Sequence, residues 1–163
     1  MLGDARFSKC GLYRYVLVRC WLVGNGMCCF VMLNPSTATA TELDPTVRRC
    51  LDYAFNWGYQ GLHVLNLFAY RSTDPRVLRT VADPVGPENQ HAFSTIIPKS
   101  NLVICAWGNG GMQDAQWRRG LNWIYEAGGK PMALRLTKQG QPQHPLYLPG
   151  SLEPIPYSFR SSL

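Results

Sequence analysis

Residues 27–50 read MCCFVMLNPSTATATELDPTVRRC, and the order of elements in this stretch decides the fold. Residues 27–33 form an unbroken apolar run between Gly24-Asn25-Gly26 and Asn34-Pro35. A short apolar run bounded by turn residues reads as a strand buried on both faces. A polar loop follows, and Asp44-Pro45 then opens a helix, since Asp caps well and Pro suits the first helical position. Val47, Cys50, Leu51, Ala54 and Trp57 recur at helical spacing, and Gly58 is a natural stop. The stretch is therefore a strand–loop–helix unit. Its strand ends in an amide, an imino acid and two hydroxyls, Asn34-Pro35-Ser36-Thr37, which suits either an Asx-type turn or the wall of a site.

Working outward, the unit repeats. Strand-like runs lie at 62–68, 101–106 and 131–136, with helices from Asp74-Pro75 to about Val81, at 87–97 and at 112–127. Upstream, 13–23 (YRYVLVRCWLV) is aromatic and β-branched. With Gly24-Asn25-Gly26 between it and the next run, it predicts an antiparallel hairpin over about 13–33. The expected fold is a single α/β domain over 1–163: a three-layer α/β/α sandwich with a mostly parallel central sheet and an N-terminal β-hairpin. The Pro- and Ser-rich tail from about 148 is expected to be irregular. In such sheets, ligands sit beyond the carboxyl ends of the strands.

The 163 residues suit one core, and 46% hydrophobic against 16% charged residues marks a globular chain. The start, MLGDARFSKC, has no apolar signal core, and the run 27–33 is far too short to cross a bilayer. A cytoplasmic protein without membrane contact is expected. None of the six cysteines forms a C-x-x-C pair and the three histidines lack ligand spacing. Buried free thiols, no metal and no cofactor are therefore expected. The net charge of +6, with 12 of the 16 basic residues arginine, permits a polyanionic partner. The pairs Arg48-Arg49 and Arg118-Arg119 also suit plain solvated helix faces.

The strand ends carry the chemistry. The first ends at Asn34, the second holds Asn66 near its end (VLNLFAY), and the third runs into Trp107-Gly108. The fourth leads to Lys138 and His144-Pro145. Each has a bland reading: turn, cross-strand bond, core packing or surface loop. Together they place two amides, an indole, an ammonium and an imidazole along one rim. A buried amide needs partners, so Asn66 is either bonded to backbone or kept for a ligand.

The stretches MLNPSTATATELDPTVRRC, GLHVLNLFAYRSTDP, DPVGPEN, AWGNGG and LTKQGQPQHPLYL resemble the bacterial and phage domain-of-unknown-function family numbered 1643, over nearly the full chain. More distantly, the order of strand-end motifs is similar to the uracil-DNA glycosylase superfamily. There a G-x-[DN]-P motif positions the attacking water, a strand ends in an Asn that reads the pyrimidine edge, and a His-Pro motif supplies the His that stabilises the departing base. That resemblance implies Asn34 and His144 as catalytic residues and Asn66 as the base reader. Pro35, Ser36, Phe68 and Trp107 would shape or stack on the base. Met32 stands where the superfamily has Gly, and small Ser36 stands where its uracil-specific branch has Tyr, leaving room for a 5-substituted pyrimidine. Thr37, Arg48, Arg49, Arg71 and Lys138 are the candidates for phosphate. The implied partner is nucleic acid, DNA first, or a nucleotide. The implied activity is N-glycosidic hydrolysis. The alternatives are a non-catalytic nucleic-acid or nucleotide-binding module and an enzyme that modifies bases.

Overall fold

The computed structural model describes residues 1–158. Seven strands form one sheet: β1 (Leu2–Phe7), β2 (Arg14–Cys20), β3 (Met27–Met32), β4 (Gly61–Asn66), β5 (Leu102–Cys105), β6 (Pro131–Ala133) and β7 (Ile155–Pro156). Three α-helices connect them: α1 (Pro45–Asn56), α2 (Asn89–Ile96) and α3 (Gln116–Glu126). The spatial order is β1-β2-β4-β3-β5-β6-β7. Strands β4, β3, β5 and β6 run parallel, whereas β1, β2 and β7 pair antiparallel. The sheet is thus mixed, which corrects the expectation of a mostly parallel one.

Helices cover both faces, for a chiral reason. From β3 the chain steps by way of α1 to β4 on one side. From β4 it crosses back over β3 to β5 and then β6 on the other. Parallel crossovers are right-handed, so steps in opposite directions put their helices on opposite faces. Accordingly α1 packs Val47, Cys50 and Ala54 over Cys28, Phe30 and Ile104. On the other face Phe93 of α2 and Trp117, Leu121 and Ile124 of α3 cover Cys29, Val31 and Cys105. Alternate residues of β3 feed the two cores, as the pleat requires. All six cysteines are free thiols, four of them buried. Among the described residues, no helix is long and apolar enough to cross a membrane, and no group of three His, Cys, Asp or Glu could hold a metal ion.

The hairpin expected over 13–33 does not form, because β4 inserts between β2 and β3. The connection 21–26 is fastened to the entry of β4 instead: Trp21 N donates to Gln60 O, Asn25 N to Gly58 O and Gln60 N to Gly26 O, all within 2.9–3.0 Å. The N-terminal hairpin is β1 with β2. Helix α1 begins as read, with Asp44 Oδ1 accepting from Val47 N at 2.8 Å and Pro45 first in the helix. The helix expected from 112 starts only at Gln116, after left-handed Asp114 and Ala115 (φ 52° each) break a 3-10 turn over Asn109–Ala115. The Asp74-Pro75 start yields a 3-10 turn, Pro75–Arg79. The tail expected to be irregular contains β7 and buried Tyr157, whose N donates to Pro131 O at 3.0 Å. The last part of that expectation, 159–163, lies outside the described residues.

Candidate functional site

Three parallel strands deliver polar residues to one place. Met32 pairs with Asn66, the last residue of β4, and the ladder continues as Leu67 N donates to Met32 O and Phe68 N to Leu33 O, both at 2.9 Å. Asn34 and Trp107 each follow the end of their strand by two residues. A cavity of about 320 Å³ opens here, lined by Asn34, Ser36, Asn66, Trp107 and His144 together with Arg14, Asp44, Thr46, Ser72 and Thr73. It lies where the chain reverses direction in the sheet, the usual place for a ligand in an open α/β fold.

Each side chain is held in a defined state. Asn34 Nδ2 donates to Pro35 O (3.1 Å) and Ser72 O (2.9 Å), and Ser72 N donates to Pro35 O (2.9 Å). These bonds lace the loops after β3 and β4 together and leave the Asn34 carbonyl oxygen as the atom it offers. Pro35 is buried and acts through its backbone rather than on the cavity wall. Asn66 is 1% exposed, and neither its Oδ1 nor its Nδ2 has a hydrogen-bond partner among the described residues. Its backbone carbonyl, by contrast, accepts from Asn89 Nδ2 at 2.8 Å. Leaving a buried amide unpaired costs about 1–3 kcal/mol per group, so Asn66 is held at the expense of stability.

His144 is placed by a loop that folds back on β5: Gly108 N donates to Pro142 O (2.7 Å) and Trp107 Nε1 to Gln141 Oε1 (2.8 Å). Leu146 N donates to His144 Nδ1 at 3.2 Å, which assigns the ring proton to Nε2. Burial lowers the imidazole below its ordinary pKa against a smaller opposing pull from Asp44, so the ring is a neutral N–H donor at pH 7.

Two charges on the cavity wall escaped the sequence reading. Arg14 is 2% exposed; its Nη1 donates to Ala38 O at 2.9 Å and its Nε is buried without a partner among the described residues. Burial, only partly offset by Asp44, lowers its pKa to about 10, so the guanidinium stays charged at pH 7. The signal was a lone cation inside the aromatic run YRYVLV. Asp44 was read as a helix cap, which it is, but its carboxylate also lines the cavity.

The other candidates stand elsewhere. Phe68 packs in the core beneath α2 and α3. Arg48 and Arg49 line a separate depression of about 470 Å³ on the outer side of α1. There Arg49 donates to Leu148 O and stacks 5.2 Å from the Tyr53 ring, whose hydroxyl donates to Pro149 O at 2.7 Å. Arg71 donates to Gly11 O at 3.0 Å and lies 4.6 Å over the Phe7 ring. Thr37 and Lys138 are exposed on loops outside the cavity wall.

The model of the family described as protein of unknown function (DUF1643) matches residues 14–146. The chain belongs to this family. The DUF1643 match spans every cavity residue, from Arg14 to Leu146. No curated protein and no solved structure matches the chain.

Proposed function

We propose that the cavity takes a nucleobase-bearing ligand, with a uracil-type or 5-substituted pyrimidine, and hydrolyses its N-glycosidic bond. The observation that carries this reading is the meeting of Asn34, Asn66 and His144 on one cavity, with the Asn66 amide buried and unpaired. An amide both donates and accepts, which matches the amide-like edge of a pyrimidine. The Asn34 oxygen is free to accept a hydrogen bond from water and so aim the water's lone pair at C1′. As the C1′–N bond breaks, negative charge grows on the base carbonyls, and His144 Nε2–H is a neutral donor for it. Such a preorganised donor contributes roughly 3–4 kcal/mol. Small Ser36 leaves room beside the base, and Arg14 supplies a fixed positive charge for a sugar phosphate. The order of strand-end motifs, which resembles the uracil-DNA glycosylase superfamily, supports the same reading. The ligand is a nucleotide or a base flipped out of DNA, the latter costing a few kcal/mol of unstacking.

The test incubates the protein with oligonucleotides and free nucleotides carrying uracil or 5-hydroxymethyluracil and measures released base. Release is expected, with Asn34→Ala and His144→Ala each lowering kcat at least about 100-fold. Saturable binding without release would instead make this a binding module, the reading that the untitratable Asn34 amide favours. Neither binding nor release would sink both.

A further inference from the structure

The reaction proposed above liberates a proton from the attacking water, and Asn34, an amide, cannot take it. Among the described residues, Asp44 is the one carboxylate on the cavity wall. Its Oδ1 accepts from Val47 N at 2.8 Å as the cap of α1, and Oδ2 has no hydrogen-bond partner among the described residues. The cap alone accounts for one oxygen. The second independent feature is the buried, unpaired Asn66 amide on the same wall, which points to a ligand in this cavity. Asp44 shares this wall with Arg14 of β2, Asn34 and His144.

We propose that Asp44 is the general base, resting on the glycosidic reading: Asn34 orients the water and Asp44 removes its proton. The water oxygen bonds to C1′ while the C1′–N bond breaks. The electron pair of that bond leaves with the base as an anion held by His144 Nε2–H. The water proton passes to the Asp44 carboxylate, which returns it to solvent as the base is reprotonated. Atoms and electrons balance with water as the sole co-reactant. Asp44 also faces the sugar as positive charge develops there, and Arg14 flanks it.

The dual role allows a clean separation of chemistry from folding. Asn and Ser cap helices about as well as Asp, so Asp44→Asn and Asp44→Ser keep α1 and remove the base. Both are expected to unfold cooperatively at a urea midpoint only slightly below the wild type's, because the Asp44 charge near buried Arg14 is lost, and to lose about 10²–10⁴-fold in kcat with little change in KM. Added formate, a small carboxylate that can enter the vacated space, is expected to restore part of the kcat of Asp44→Ser and none of that of His144→Gln. A wild-type kcat in Asp44→Asn, or a loss in Asp44→Ser that formate does not relieve, would overturn the base assignment and leave the glycosidic reading standing. No base release by the wild type from any substrate would remove both assignments together.

Discussion

Asn66 is held in a state that the fold alone makes unfavourable. Its amide is buried at the end of β4 with neither polar atom paired, although its backbone carbonyl is well satisfied by Asn89. An apolar residue there removes the cost of the stranded groups, so Asn66→Leu is expected to raise stability by about 1–3 kcal/mol. The same change should abolish base release. The check is a urea midpoint that rises at constant m-value in a variant without activity. A loss of stability would show that the amide serves the fold. This residue was legible in the sequence because a polar side chain in VLNLF must be either satisfied locally or kept for a ligand. Trp107 and Asn34 were legible because they stand where apolar runs stop, and His144 through the His-Pro motif in the polar loop beyond the fourth strand. Asp44 was hidden by sufficiency, since a helix cap already explained it. Arg14 was hidden in an aromatic and β-branched strand, where a single cation reads as an exception rather than as part of a site. Phe68 failed by geometry: it follows Asn66 closely in the chain, yet packs in the core beneath α2 and α3 and away from the cavity.

At the scale of elements, local signals carried and non-local pairing did not. Helix α1 was readable because its cap, its first-position Pro and its apolar spacing all lie within one segment. The Gly24-Asn25-Gly26 turn gave an equally local signal for a hairpin, but a strand drawn from 40 residues later takes the place between β2 and β3. The glycine is needed for that threading. Gly24 has φ +109°, and a Cβ there would lie 2.5 Å from Tyr59 O, on the backbone that leads into β4. Gly11 has φ +75° with open space around it. Gly11→Ala should therefore cost only the left-handed penalty of about 1–2 kcal/mol. Gly24→Ala should cost clearly more, because the Tyr59 carbonyl must also move. Chemical denaturation of the two variants decides this, and equal losses would mean that the crossing does not depend on close approach at Gly24.

The whole molecule is two cores on either side of one sheet, and the direction change of the chain explains both the cores and the cavity. Sequence order of strands and helices was enough to predict helices on both faces and to say where a cavity should be sought. It gave the antiparallel direction of β2 but not the outermost strands, because β1 is a mostly exposed edge strand and β7 is two residues long. Packing the sheet from both faces also traps His63 in mid-β4, 6% exposed, with Nδ1 2.9 Å from Ser100 Oγ. Burial, helped by the Lys99 charge, lowers its pKa to about 4. The unfolded chain takes up this proton near pH 6.5, whereas the fold resists it until about 4. The unfolded state therefore binds more protons between these values, and stability must fall as pH drops through that window. The loss is at most about 3 kcal/mol at the acid end. His144, also lowered by burial, tilts the curve in the same direction. Unfolding free energy measured from pH 7 to pH 4 should decline in the wild type and more shallowly in His63→Gln. Parallel curves would mean that His63 is already reached by solvent and that the two cores do not close around β4.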